Sequence, residues 1–473
     1  MVREAESTGA ARAAEAAPLS GQIAARVDRL PLTRVQWELA ILTQIAWGII
    51  VLNTDGIAAR LYPFVWKPHH VVSTFEYGVI QALAVGLGIL LGDFSMGLVA
   101  DRYGRRPAII LSAILAGLFI WPFAWLTNFW GLAVVSILST LGVGAILATH
   151  SVYIAEVVSP EVRNRVLLAA QSTTALIGVV GGLMAYYWIP GQYQFYVYVM
   201  GASQLLILLP LLLWRLPESP RWLEARGRHA EAERVMAKLE QRTAGAYGKP
   251  LPEPDPRPHP VIMGGHFLAG LRELLLNAEY RERTILLLVV WVLGYAGIIY
   301  GIGAFALVYL VDHGGSAHFV FLLAIIAGLV NFVAFQVNAQ LRERFERRHV
   351  VMVLSLVFIV PWIVMYFETK LSILAVGYVV AAIGAALWLF NMYNYTTIAF
   401  PTRLRSAGMG TCDGVGHLGA WLGVTLTGTL YTIGPNHLAW LLFCLVPGAL
   451  LPSLLIWARG VNQRSAVLEL VST

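Results

Sequence analysis

The sequence predicts an all-α integral membrane protein of twelve transmembrane helices, built as two six-helix bundles with both termini in the cytoplasm. Three observations predict it. Of 473 residues, 58% are hydrophobic and 13% charged, with a mean hydropathy of +0.68, against roughly half apolar and a quarter charged in soluble domains. That much apolar surface calls for lipid as the solvent and excludes a disordered chain. Apolar stretches of about 20 residues, the helical length that crosses a bilayer, recur twelve times along the chain. Finally, Lys and Arg gather in alternate short loops, eleven on the N-terminal side against two opposite, Lys67 and Lys370. Short loops rich in these residues stay cytoplasmic. The net charge of +6 is then a mark of topology and implies no nucleic-acid partner. Two cysteines, Cys412 and Cys444, are too few for a disulfide framework or a Cys-rich metal site.

The elements follow in order. Residues 1–35 are Ala-rich, carry charges of both signs and lack an apolar stretch, so they read as a cytoplasmic tail and not as a cleavable signal peptide. Spans at about 37–62, 76–99, 107–127, 130–156, 166–188 and 195–215 make a first bundle over 36–216. The long loop 217–283 begins with mixed charged and apolar residues at helical spacing, Arg221 to Gln241, which predict short surface helices. Pro then occupies every even position from 250 to 260, a pattern that excludes helix and gives an extended linker. Spans at about 284–311, 317–340, 350–367, 371–399, 406–432 and 437–458 make a second bundle over 284–458, followed by a cytoplasmic tail, 459–473.

The halves are related by a fixed offset. Asp101-Arg102-Tyr-Gly104-Arg105-Arg106 after span two returns 242 residues later as Glu343-Arg344-Phe-Glu346-Arg347-Arg348. Pro160 and Arg163 after span four return as Pro401 and Arg405, at offsets of 241 and 242. Repeated bundles of this kind enclose a central site. Because Glu346 stands where the first copy has Gly104, the two turns cannot be identical.

These clusters, with Glu156-Val-Val-Ser-Pro160-Glu-Val-Arg163, Pro217-Glu218-Ser219-Pro220-Arg221-Trp222-Leu223 and Phe400-Pro401-Thr402-Arg403, resemble the loop signatures of the major facilitator superfamily from about Val35 onward. The Pro217 to Leu223 run is common to sugar porters and to the metabolite:proton symporter and organic-ion branches. Span seven, Trp291 to Tyr300, lacks the Gln-rich sugar-porter signature, and Leu387-Trp388-Leu-Phe390-Asn391 replaces that branch's Gly-Pro-Ile-Pro-Trp in span ten. Sugar is thereby demoted as a substrate. The resemblance further implies a cytoplasmic gate. Asp101 would cap the N-terminal end of span eleven, and Arg102, Arg105, Glu156, Arg163 and Glu218 would form ion pairs that exist only when that side is closed. Arg221, Glu343, Arg344 and Arg405 belong to the same gate.

Ionisable residues at membrane depth are costly and so are functional candidates. Asp55, in Asn53-Thr54-Asp55-Gly56 of span one, is the candidate proton-coupling group, as an acid in this span often is in the resembling symporters; a static pair with Arg60 is the alternative. Arg60 is a candidate anion handle, because guanidinium grips a carboxylate bidentately, or else it snorkels to headgroups. His150 and His417 sit near mid-depth on different helices and can titrate near neutral pH. In the resembling branches an Arg or Asp that contacts substrate stands at the position of His417. Asp413 lies one turn before His417 and is a candidate partner for it. Gln171, Trp388 and Asn391 are candidate cavity residues, the last two sharing a helix face at i,i+3 spacing; helix-helix hydrogen bonding is the competing role for the amides.

No HExxH, GxSxG, CxxC or phosphate loop is present, so neither an enzyme, a metal centre nor nucleotide energy is expected. The expectation is a secondary transporter in the cell membrane, moving a small organic metabolite, with a carboxylate as one candidate, by alternating access. The proton is its coupling ion, no other cofactor is needed, lipid and substrate are its partners, and it acts as a monomer. The alternatives are an organic-cation or drug/proton antiporter, a sugar porter, or a non-transporting receptor of the same fold.

Overall fold

The computed structural model describes residues 22–54, 56–254, 267–400, 404–433 and 437–460, and all regular structure among them is helical. A short helix, α1 (Gln22–Asp28), precedes α2 (Arg34–Thr54) and α3 (Ile57–Leu61), which runs on through a π-helical turn to Trp66. Next come α4 (Thr74–Tyr103), α5 (Arg105–Ala124), α6 (Phe129–Val157), α7 (Pro160–Trp188) and α8 (Tyr193–Arg215). The long loop holds α9 (Pro220–Ala225), α10 (His229–Tyr247) and α11 (Phe267–Leu276). The second half contains α12 (Tyr280–Asp312), α13 (Ala317–Arg344), α14 (Arg347–Phe367), α15 (Leu371–Ala399), α16 (Arg405–Thr432) and α17 (Leu438–Arg459).

Among the described residues, nine helices are long and apolar enough to cross a membrane: α4, α5, α6, α8, α12, α13, α14, α15 and α17. Helices α2, α7 and α16, of 21, 29 and 28 residues, stand at the three other expected positions. Surface helices α9 and α10 occupy the expected stretch. No helix follows α10 as far as Pro254, and the rest of the proline run lies outside the described residues.

Local chemistry fixes several helix ends. Ser73 accepts from the Glu76 N–H while the Glu76 carboxylate accepts from the Ser73 N–H, a reciprocal cap at the start of α4. Asn128 caps α6 through Gly131 N–H at 2.8 Å. The α4–α5 turn needs Gly104, whose φ of +119° lies where side chains clash and whose Cβ would sit 2.1 Å from Glu218 Oε2. Its repeat counterpart Glu346 has φ of −67°, so the two turns do differ.

Two seams join the halves: α4 packs on α16, and α7 packs on α13. The internal repeat exchanges these seams. In the first, a Cβ on Gly86 would lie 2.1 Å from that of Trp421, and Gly78 meets Gly428 backbone to backbone. In the second, Gly182 faces Ile325 and Gly328 faces Ala175 and Val179. Lys67, after α3, and Asp312, at the end of α12, form an ion pair of 2.5 Å between the halves, so these two ends share one face. We call it the far face; the opposite one, which carries Arg34, α9 and α10, is the tail face.

Candidate functional site

Among the described residues, the α4–α16 seam carries a cluster of two carboxyls and an imidazole inside the helices. One ligand-capable atom each of Asp93 on α4 and of Asp413 and His417 on α16 all lie within 4.8 Å of one another. At 1.5 Å per residue, Asp93 is about 15 Å from the tail-face end of α4, and Asp413 about 12 Å from that of α16. Tyr295 donates its hydroxyl to Asp413 Oδ1 at 2.5 Å and Tyr393 does so at 3.0 Å. His417 is fully buried, and its Nδ1 lies 2.9 Å from the backbone carbonyl of Asp413. A carbonyl oxygen only accepts, so Nδ1 carries the proton of that bond. The Nε2 of neutral His417 then keeps its lone pair, with the Tyr300 hydroxyl at 3.4 Å.

A π-helical turn, Tyr295–Ile299, makes this arrangement possible. The N–H of Tyr300 reaches the carbonyl of Tyr295 five residues back, which puts both rings on one side of α12, 5.3 Å apart and 4.7 and 5.9 Å from the His417 ring. Trp291 extends the cluster by edge contacts to Tyr295 and Tyr393. Such turns inside α-helices recur at functional sites. A Cβ on Gly97, one turn from Asp93 toward the tail face, or on Gly414, next to Asp413, would meet nothing within 4 Å.

The other candidates fall as follows. Asp55 and the side chains of Glu343, Arg344 and Arg405 lie outside the described residues. Arg60 does not snorkel outward: its Nη1 donates to the Tyr196 hydroxyl at 2.8 Å and its fork lies beside Gly181 on α7. His150 packs on Trp47 at 5.7 Å with Nδ1 on the Ile146 carbonyl, and Trp47 reaches across to Phe390 of α15. Gln171 Oε1 is buried without a partner among the described residues. Asn391 donates to Asn338 Oδ1 and to the Leu387 carbonyl, leaving its own buried Oδ1 unpartnered there. Trp388 is corrected: it is fully buried inside the second half, its ring against Gly294 and its Nε1 on Ser453 Oγ at 3.0 Å. Spacing of i,i+3 gives a shared face but not which way that face points, and the seam side of α15 presents Tyr393. Asp413 and His417 do meet, though through the Asp413 backbone carbonyl.

The expected gate residues form a cluster within the first half. Arg105 binds Asp101 at 2.7 Å and Glu156 at 3.1 Å. The Glu218 carboxylate accepts the backbone N–H groups of Arg105, Arg106 and Ser219. Burial pushes the Glu218 carboxyl above the usual carboxylate range, against the pull of those three donors. Asp101, Arg221 and Arg102 depart from the expected pairing. Asp101 does not cap α16 and is held by Arg105, while Trp222 and Arg226 donate to its carbonyl. Arg221 pairs with Asp28 of α1, drawing the tail onto α9. Arg102 lies over its neighbour Tyr103, and Arg163 reaches the Val158 carbonyl. Arg26 and Arg29 bind Glu240 of α10, completing the tail clamp.

Sequence reasoning missed Asp93, although the rule that singled out Asp55 applies to it equally: it is the one acid within the apolar run from Tyr77 to Ala100. It also counted Lys67 only as a topology signal, whereas Lys67 holds Asp312, itself bound by the Tyr431 hydroxyl at 3.0 Å.

Comparison with known proteins agrees with this architecture. The family model described as "Sugar (and other) transporter" matches residues 33–455. The putative metabolite transport protein YyaJ of Bacillus subtilis is 26% identical over 424 residues, covering 85% of this chain and 88% of that protein. The 4-hydroxybenzoate transporter PcaK of Acinetobacter baylyi is 24% identical, covering 90% and 92%, and the niacin transporter NiaP of the same organism 23%, covering 90% and 94%. The inward-open structure of the xylose transporter XylE from Escherichia coli shares the fold with a TM-score of 0.67 at 16% identity, over 92% of this chain and 98% of that one. The chain is therefore a multi-pass membrane transporter of the major facilitator superfamily and belongs to the Sugar (and other) transporter family.

Proposed function

We propose that this transporter is a proton-coupled symporter of small aromatic or heteroaromatic carboxylates, working as a monomer by alternating access in the cell membrane with its tail face in the cytoplasm. The observation that carries the reading is the ring cluster at the inter-half seam: Trp291, Tyr295, Tyr300, Tyr393 and His417 offer flat faces and hydroxyls beside a carboxyl pair. Aromatic faces favour offset or edge stacking with a flat ligand. The names of the relatives, which carry 4-hydroxybenzoate, niacin and gallate, support the same class. Arg60, held by Tyr196 beside α7, offers a fork for the carboxylate. An organic cation fits less well, since two tyrosine hydroxyls already occupy Asp413 Oδ1. Asp55 is kept as the proton-coupling acid of the first half.

The test is uptake of labelled 4-hydroxybenzoate into proteoliposomes under an imposed inward proton gradient. Accumulation that a protonophore collapses is the expected result. Uptake equal with and without the gradient makes the protein a uniporter, and movement of tetraethylammonium in its place makes it a cation carrier. Asp55→Asn should abolish gradient-driven accumulation.

A further inference from the structure

We propose that Asp93 and Asp413 share a single proton across the α4–α16 seam, so that this proton ties the two halves together and is given up when the seam parts. Two carboxylates within 4.8 Å inside a bilayer cannot both stay ionised without a cation between them. Among the described residues the only charge that acts on Asp93 is that of Asp413, and no donor is hydrogen-bonded to its carboxyl. The two acids belong to different halves, so the repulsion that a lost proton would unleash acts along the coordinate on which the halves separate.

The surroundings fit a proton. From α12, Tyr295 and Tyr300 face the pair; from α15, Tyr393; from α16, Cys412 and His417. From the first half, α6 meets Asp93 with Gly144, a Cβ on which would lie 2.5 Å from the Asp93 nitrogen, while His150 of that helix is turned to Trp47. No Lys or Arg among the described residues enters this list. Two tyrosine hydroxyls donate to Asp413, favouring the charge there and leaving the proton to Asp93. His417 supplies the second observation. It is fully buried with Nδ1 on the Asp413 carbonyl and Nε2 3.4 Å from the Tyr300 hydroxyl, and one of its ring nitrogens falls within the same 4.8 Å group as the two carboxyls. A Cβ on Gly97, one turn from Asp93, or on Gly414, next to Asp413, would meet nothing within 4 Å, which leaves room beside the pair.

The role in transport rests on the proton-coupled reading above; the shared proton does not, and its test avoids transport. Infrared spectroscopy of the purified, reconstituted protein at neutral pH reads the C=O stretch of protonated carboxyl groups. Asp93→Asn should lose one such band, because Asp413 is then left ionised on its two tyrosine hydroxyls. Asp413→Asn should keep the band but shift its frequency, because a buried acid with no charge beside it stays neutral, and the double variant should lose no more than Asp93→Asn. Melting curves report whether each variant is folded. A band unchanged in Asp93→Asn overturns the proposal. So does stabilisation by sodium over choline that both variants abolish, since a cation then neutralises the pair. A chain that keeps the band but accumulates no aromatic acid overturns the proposed function and leaves the shared proton standing; one that accumulates the acid with protons and shows no band overturns the shared proton alone.

Discussion

The two seams between the halves are copies of one another in register and opposites in chemistry. Shifting by the repeat offset of 242 carries Gln171 on α7 onto Asp413 on α16, and Asp93 on α4 onto Phe335 on α13. One seam thus holds two acids and the other an amide and a ring. The acidic seam is closed by backbone-to-backbone glycine contacts and by hydroxyls that satisfy Asp413; the amide seam leaves Gln171 Oε1 and Asn331 Oδ1 buried without partners among the described residues. A buried acceptor without a donor is costly and is what a ligand can relieve, whereas a satisfied acid is a built-in element.

The glycines should separate the seams most sharply. Gly86→Ala sets a methyl 2.1 Å from the Trp421 Cβ, close to backbone that cannot turn away, and should cost about 3 kcal/mol as overpacking. Gly182→Ala meets only Ile325 Cγ1, at 2.9 Å, which a rotamer change relieves at under about 1 kcal/mol. Thermal midpoints in detergent check this, and equal losses would mean the seams are equally tight. Next in size, Asp413→Leu leaves the hydroxyls of Tyr295 and Tyr393 only each other, 3.0 Å apart, so that one of the two donors is stranded, and should cost about 2 kcal/mol, while Gln171→Leu removes an unpartnered oxygen and should be neutral or stabilising. The same melts decide it.

The smallest effect is expected away from both seams. Glu218 has its carboxyl raised by burial, so its contribution to stability is complete below the ordinary carboxylate range and fades as pH rises through the raised value. Glu240 runs the other way. Burial raises it, but hydrogen bonds from Arg26 and Arg29 outweigh that and hold it low, so its contribution is present at neutral pH and fades as pH falls. Glu218→Gln should flatten the loss of midpoint on the alkaline side of the carboxylate range, and Arg26→Ala should lower the midpoint at neutral pH and flatten its loss on the acid side. Both changes should leave the contrast between the seams untouched.

Much of this was legible in the sequence. Apolar run length located the long helices because the bilayer thickness sets it, and the loop signatures placed Asp101, Arg105 and Glu218 at one end of the first half because turn chemistry is local. What escaped needed contacts between distant residues. Lys67 and Asp312 are 245 residues apart, and nothing near either one names the other. Trp388 was assigned to the cavity because helical spacing fixes relative direction and leaves absolute rotation to packing. Asp93 is an acid at membrane depth by the same sequence pattern as Asp55, yet its meaning depends on Asp413 in the other half. The Tyr295–Tyr300 pairing could not be read from a 3.6-residue period, because the π-helical turn interrupts it.

That turn also has a mechanical consequence. An α-helix advances about 100° per residue, so the extra residue held between Tyr295 and Ile299 sets the rotation of everything after it in α12. Deleting one residue there would swing Tyr300 off His417 and, by the same angle, Tyr309 off Trp440 and Asp312 off Lys67. The site within the helices and the ion pair on the far face are thus wound on one shaft, in phase with each other through a single inserted residue.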